Sequence, residues 1–465
     1  MPKLFPLLAL GLAISGCSLV PDYQRPQAPI PDQWQLGSAN QQLTRKQQDW
    51  RQFVIDPGQR RLVEQALSNN RSLRQTLLDM EAARAQYGIQ RADRLPTINL
   101  DGSGQRQRLP ADVSTSGQAE TRSQYQVGLG LAAFELDLFG RVRNLSETAL
   151  QAYLATEQAA QSARISLIAD VVSVSLQRDG TLRQLAITRK TLASRNANLE
   201  MIEQQRTLGA ADELEYQQAL AEQQAVIAQI EQLDRALQRH TNALRLLTGQ
   251  QNLNTLFAPA SKPVELGALA PSAPSSLLEA RPDIRAAEHR LLARRANIGA
   301  ARAAFFPRIS LTGSLGNTSS DLSDLFNSGQ SSWAFSPQLT LPLFTAGRNQ
   351  ASLELATARR DAAVAAYEER IQIAFREVSD ALAAQDTLAR EVNARRLQAN
   401  ASTQAATLSQ TRYQAGATDY FRVLQAEQDA LQAQRDLEQA TTQQQLARTQ
   451  LFRALGGSWM QAASG

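Results

Sequence analysis

From Arg141 to Leu208 the chain holds no proline and one glycine, Gly180. Ala, Gln, Leu, Arg and Glu dominate this stretch, and all are good helix formers. Ile165, Ile168, Val172 and Leu176 recur at helical spacing, followed by Leu185, Leu192 and Leu199 seven residues apart. An unbroken helix of this length runs about 100 Å, several times an ordinary globular helix. Such a helix is built to cross a distance.

The chain makes it twice. Arg348 to Gln414 holds neither proline nor glycine. Val364, Ile371, Val378, Gln385 and Val392 stand seven apart, interleaved with Tyr367, Ala374, Ala381 and Leu388. Alanine at so many seam positions lets neighbouring helices approach closely.

The surroundings repeat as well. Asn70 to Arg74 and Leu95 to Leu100 match Arg281 to Arg285 and Phe306 to Leu311, 211 residues on. Leu138-Phe139 and Arg143-Asn144 match Leu343-Phe344 and Arg348-Asn349 at an offset of 205. Gly209, Asp212 and Gly249 match Gly416, Asp419 and Gly456 at 207. Offsets that shift only in loops mark a tandem duplication.

Ahead of each long helix the period changes from helical to alternating. After Pro96, Ile98 and Leu100 alternate with polar neighbours, and a polar loop is expected from about Gly102 to Ser123. Val127, Leu129 and Leu131, then Phe134, Leu136 and Leu138, make a second strand. Trp333, Phe335, Leu339, Leu341 and Leu343 supply the fourth. Pro337 and Pro342 there point to a strand margin or a bent exit into the helix. Asp56-Pro57-Gly58 reads as a turn.

The first long helix ends at Leu208-Gly209, with Gly209 suited to a left-handed C′ position. Asp212 with Glu215 three residues on forms a capping box for the return helix. Val226, Leu233, His240 and Leu247 share one row of that helix, so His240 reads as a packing histidine. Glu288-His289 reads as a solvated helix face.

A formal charge of +4 is small for 465 residues, and lysine occurs only at 3, 46, 190 and 262. The charges are interspersed along helices, which points away from nucleic acid. Two histidines make metal-ligand clusters hard to build, and no metal or dissociable cofactor is expected. There is no Gly-rich phosphate loop and no nucleophile elbow, so an enzyme is not expected. The single cysteine, Cys17, closes Ile14-Ser15-Gly16-Cys17 after a short apolar run, as a bacterial lipobox does. A covalent lipid on Cys17 is expected. Ser18 stands where an aspartate would resemble the inner-membrane retention signal, and by that resemblance the lipid is expected to point to the outer membrane. No other stretch reads as a transmembrane helix.

Four strands cannot close a barrel, and an open edge in lipid leaves backbone groups unsatisfied. Two chains would give eight strands around a filled interior, and three would give twelve around a channel. The order of elements, the lipobox, the Pro-x-Ile-x-Leu starts at Pro96 and Pro307, the Leu343 to Asn349 passage and Arg412 to Ala417 resemble the TolC-type outer-membrane efflux factors. Arg281-Pro282-Asp283-Ile284 with lipidation resembles their OprM/NodT-like lipoprotein branch. The resemblance implies an α+β membrane fold: a trimeric 12-stranded β-barrel, four strands per chain, continued by a long α-helical periplasmic tunnel. It implies a homotrimer that is the exit duct of a tripartite pump, with a periplasmic adaptor and an inner-membrane transporter of RND type as partners. Its surroundings would be outer-membrane lipid and the periplasm.

The parts expected are a signal peptide at 1–16, a tether and equatorial segment at 17–56 and a first repeat at 57–249. A connection at 250–276, a second repeat at 277–456 and a tail at 457–465 complete the chain. A mixed equatorial belt is implied from the N-terminal segment, the connection and the tail. The periplasmic aperture and adaptor contact are assigned to Gly209, Asp212, Glu215, Gly416, Asp419, Tyr420, Arg422 and Gln425. In the TolC-type pattern acidic residues ring this aperture, whereas here Arg422 and Gln425 stand in the matching turns. A lipidated periplasmic adaptor, with one hairpin between β-rich halves, fits two hairpins and duplicated strands poorly. A stand-alone porin needs no long helices. An outer-membrane factor of type I secretion stays open.

Overall fold

The computed structural model describes residues 19–31, 50–253, 263–267, 269 and 277–457. In chain order these form α1 (Trp50–Phe53), α2 (Pro57–Asn69), α3 (Arg71–Ala92), β1 (Ile98–Leu109), β2 (Glu120–Leu136), α4 (Arg141–Thr207) and α5 (Glu213–Thr248). The second half gives α6 (Leu277–Ala280), α7 (Pro282–Ala303), β3 (Arg308–Ser319), β4 (Ser331–Thr340), α8 (Arg348–Gln414) and α9 (Tyr420–Ala454). The chain divides into two compact units: one holds Asp79–Glu157, Ala286–Glu368 and the segment ending at Gln27, the other Ala28–Leu78, Gln158–Arg285 and the chain from Glu369 onward.

The first unit contains one antiparallel sheet in the order β1-β2-β3-β4. Its register sorts the side chains onto two faces. Ile98, Leu131, Gly313 and Phe335 form one cross-strand row, and Leu100, Leu129, Leu315 and Trp333 the next. Rows on the other face hold small or polar residues, such as Asp101, Gly128, Gly316 and Ser332. A register shift between Leu131 and Phe134 leaves both apolar side chains in rows of the first face, opposite Gly313 and Leu311.

Three sequence expectations change here. The polar loop shrinks to residues 110–119, because β1 continues to Leu109 and pairs with Glu120. Apart from Tyr125, both faces turn polar between Gly102 and Leu109, so apolar alternation stops marking a strand that backbone pairing still carries. Pro337 lies inside β4 opposite Leu311, tolerated because β4 is an edge strand in this chain. Pro342 lies in the exit toward α8. The third change concerns register. Gly140 (φ 76°) and Gly347 (φ 82°) immediately precede the two long helices, each of 67 residues. Helix starts therefore align at 207 rather than 205, and the difference is absorbed between Phe344 and Gly347.

The second unit is helical. Its core joins Trp50, Phe53, Leu62 and Val63 to Ile165, Ile168, Val172 and Leu176 of α4, Leu244 of α5 and Phe452 of α9. Phe53 and Phe452 stack with ring centroids 4.6 Å apart. The N-terminal segment meets the mid-chain connection through the Val54–Leu266 bridge and the Gly267 N–H to Phe53 carbonyl bond, 2.8 Å. Asp56-Pro57 is a helix start rather than a turn: Asp56 accepts from the Gln59 N–H at 2.7 Å with Pro57 at the first position.

On α8 the seam falls where the heptads put it, with Tyr367, Ile371, Ala374, Val378, Ala381 and Val392 buried. On α4 the distal half departs. Leu185 is buried, but Leu192 and Leu199 are half-exposed while Thr188, Thr191, Arg195 and Asn198 take the buried row. Polar partners explain it. Arg183 pairs with Glu438 at 2.6 Å, Ser194 donates to Glu427 at 2.8 Å, and Arg195 reaches Gln428 and Glu222. One window of α4 also reaches a mean hydropathy of 1.2, enough on composition for a membrane span, and half of it is buried.

The duplication persists at the level of single contacts. Asn70 Nδ2 donates to the Leu247 carbonyl at 2.9 Å, and the matching Arg281 Nη1 donates to the Ala454 carbonyl at 2.8 Å.

Candidate functional site: hairpin tips and their supports

Each long helix turns back through the same local structure. At the first tip the Gly209 N–H bonds the Arg206 carbonyl at 3.0 Å and the Ala210 N–H bonds the Gln205 carbonyl at 2.8 Å. At the second, Gly416 bonds Tyr413 at 2.9 Å and Ala417 bonds Arg412 at 2.8 Å. Both glycines have φ of 73°. This is the left-handed helix stop, which a side chain would strain.

The return helices begin on aspartates. Asp212 Oδ1 accepts from the Glu215 N–H at 2.8 Å, and Glu215 reaches back to the Asp212 N–H, completing the capping box. Asp419 Oδ1 accepts from the Arg422 N–H at 2.9 Å. Arg422 thus meets Asp419 through its backbone, and its side chain is exposed. Gln425 donates to Asp429 at 3.1 Å.

Sequence reading missed the clasp across each tip. Arg206 pairs with Glu213 at 2.6 Å and its guanidinium lies 4.1 Å from the Tyr216 ring centroid. A hydrogen bond from Gln217, then one from Arg206, holds the Glu213 carboxyl below its ordinary range. The matching positions of the second tip, 207 residues on, are Tyr413 and Tyr420, whose rings meet at 5.2 Å and 56°. Burial, helped by the Glu427 charge, raises the Tyr420 phenol. One tip is held by an ion pair and the other by an aromatic pair. The signal was in the sequence as residues seven apart across each glycine. Leu208 and Phe421 stand exposed beside these clasps.

Behind the tips, in the same helical unit, lies a charged centre. Arg281 donates from Nε and Nη2 to Asp283 at 3.0 and 2.6 Å and pairs with Glu377 at 2.7 Å. Arg370 Nε adds a bond to Asp283 at 2.8 Å. These groups, with Ser162, Ser166 and Arg453, line a cavity of about 190 Å³. Burial pushes the Asp283 carboxyl up, yet the Arg281 hydrogen bond and the charges of Arg281 and Arg370 outweigh it and hold the group below its ordinary range.

In the sheet-bearing unit, Glu288 is not a solvated residue. It accepts from the Tyr23 hydroxyl at 2.8 Å and from Arg25 at 2.5 Å. Arg295 donates to the Pro21 carbonyl at 2.5 Å and Arg302 to the Leu19 carbonyl at 3.1 Å. Residues 19–25 are therefore strapped along α7. His289 bonds Gln151 at 2.7 Å. His240 is half-buried, and burial with the nearby Arg239 lowers its pKa. Cys17 lies outside the described residues.

Known proteins share this fold. The profile of the outer membrane efflux protein family matches residues 62–250 and 273–457. The chain is 52% identical to outer membrane protein OprJ of Pseudomonas aeruginosa, over 98% of this chain and 96% of that one. It is 43% identical to the solvent efflux pump outer membrane protein SrpC of Pseudomonas putida, over 98% of both. The open state of the MtrE outer membrane channel of Neisseria gonorrhoeae superposes with a TM-score of 0.86 at 35% identity, covering 95% of this chain and 98% of that one. The two-faced sheet is the chain's share of a β-barrel, the long helices are its share of a helical tunnel, and the protein is an outer-membrane efflux channel. The chain belongs to the outer membrane efflux protein family.

Proposed function

We propose that three copies of this chain close one twelve-stranded barrel and serve as the passive exit duct of a tripartite efflux pump. The observation that carries this is the sheet with one apolar and one polar face and with β1 and β4 as unpaired edges. Edges in lipid must pair, and twelve strands leave an aqueous lumen where eight are filled. The duct performs no chemistry. Substrate arrives from an inner-membrane transporter of RND type through a periplasmic adaptor, whose hairpin ends meet the tips around Gly209 and Gly416. Exposed Leu208 and Phe421 offer apolar contact there.

At rest the tips form the constriction, with Asp419, Tyr420, Arg422 and Gln425 near Asp212 and Glu215. Exposed ion pairs of about 0–1 kcal/mol each, repeated by threefold symmetry, are weak enough for a partner to release. In planar bilayers, Arg422→Glu with Asp419→Ala is expected to raise single-channel conductance of a cross-linkable trimer. Loss of the Asp419 cap costs about 1 kcal/mol by itself, so Arg422→Glu alone serves as the second variant. Wild-type conductance from both, with the trimer folded, assigns these residues to capping alone. A species that cross-links only as monomer overturns the assembly.

The lipid is proposed on Cys17, two residues ahead of the strap that docks on α7. Mass spectrometry of the mature protein is expected to find an acylated N-terminal cysteine after loss of residues 1–16. An unmodified peptide spanning Gly16-Cys17 would overturn it.

A further inference from the structure

The outward face of the β1–β2 hairpin changes character along its length. Its apolar rows run from Leu136, Ile309 and Leu339 up to Tyr125, which pairs with Ser319 of β3 and Gly104 of β1. Ile309 to Ser319 covers about 33 Å along the strand, which the usual strand tilt cuts to about 25 Å, the height of a lipid-facing band. Tyr125 closes the band, its ring lying where a Gly104 side chain would be, as aromatic residues do at a membrane interface.

The next two residues of β1 on that face are Arg106 and Arg108, opposite Ser123 and Thr121. They stand about 5 and 10 Å above the band. Both are exposed, and among the described residues neither guanidinium has a hydrogen bond or ion pair. Arg122, on the other face, is by contrast held by Glu120 and by Thr115 at 2.7 Å. The β3–β4 hairpin has no counterpart: between Arg308 and Arg348 there is no basic residue, and its connection carries Asp321 and Asp324. Strand alternation keeps the pair facing outward however the barrel closes.

We propose that Arg106 and Arg108 form a binding site for the phosphate groups of the phosphorylated glycolipid of the outer leaflet. The inference rests on the barrel reading above. Two guanidiniums on one strand face, spaced about 7 Å apart, meet phosphate oxygens by charge-assisted hydrogen bonds, while the rows below hold the acyl chains. The lipid is the occupant because the pair continues an apolar band.

The test uses full-length protein in nanodiscs, with native mass spectrometry of retained lipid. The probes are the phosphorylated glycolipid and its dephosphorylated form, with inorganic phosphate as competitor. Wild type is expected to prefer the phosphorylated form about tenfold or more. Arg106→Gln with Arg108→Gln should bring the preference to within about twofold, and Arg106→Lys with Arg108→Lys should keep most of it. Unchanged conductance and trimer content in the Gln variant separate this proposal from the channel reading. Loss of either places the failure in the barrel, and the Lys variant then carries the comparison. No preference in wild type, or full preference in the Gln variant, overturns the lipid site. Displacement by millimolar phosphate overturns it in favour of a small-anion site.

Discussion

Gly316→Val is expected to abolish the assembled barrel, leaving no heat-resistant oligomer on a semi-native gel. Gly128 and Gly316 sit opposite each other on the polar face of β2 and β3. A Cβ at Gly316 would lie 2.2 Å from the Val127 carbonyl oxygen and 2.4 Å from Gly128 Cα. Those neighbours are backbone, so nothing can rotate away. The strands must separate, which breaks the ladder on both sides. Ordinary overpacking costs about 1–3 kcal/mol, and a clash that unpairs two strands exceeds that. Gly128→Ala is expected to act the same way, since its Cβ would lie 2.6 Å from the Leu315 oxygen. Gly102→Ala is the control, because nothing lies within 4 Å of its Cβ, and it should assemble as wild type. Normal assembly of Gly316→Val would mean that β2 and β3 do not pair in this register.

The second large effect is expected at Asp283. Its partner Arg281 is only 5% exposed at the side chain and also carries Glu377 and the Ala454 carbonyl. Asp283→Ala leaves that guanidinium and Arg370 short of an anion. Breaking a buried pair in this way costs about 3–5 kcal/mol, read as a lower Tm of the helical signal. Replacing both Arg281 and Asp283 by apolar residues should cost less, because the charges left behind, Arg370 and Glu377, are each more than a third exposed to water. The pH dependence follows from the depressed carboxyl pKa. The unfolded state takes up the proton first as pH falls, so the stabilisation is complete above the ordinary aspartate pKa of about 3.9 and drains away below it. The Tm gap between wild type and Asp283→Asn should therefore hold from neutral pH to about pH 5 and narrow below about pH 4. A gap unchanged at acid pH would show that Asp283 acts by shape alone.

Much of this protein was legible in order along the chain. Long helices without proline and with a single glycine between them, Gly180, the alternation around Ile98 and Leu129, and the two Gly-x-x-Asp tips are local patterns, and local backbone preference is enough to set them. The α8 seam was legible too, because Ile371, Val378 and Val392 are apolar at a fixed spacing.

Most of what escaped reading depends on partners distant in sequence, and the tip clasps, though only seven residues apart, depend on how the chain turns between them. The polar upper halves of β1 and β2 show no alternation, and only the backbone ladder from Gly102–Val127 to Leu109–Glu120 makes them strands. On α4 the buried row is chosen by Glu438, Glu427 and Gln428, which lie more than 200 residues away. Glu288 looked solvated until the strap at Tyr23 and Arg25 covered it. The tip clasps show the division most plainly. Sequence by itself determined that Gly209 and Gly416 stop a helix, because positive φ is a property of one residue. Only the tertiary structure decided that Arg206 with Glu213, and Tyr413 with Tyr420, face each other across those stops. A contact between two side chains depends on how both helices return, and no local preference encodes that.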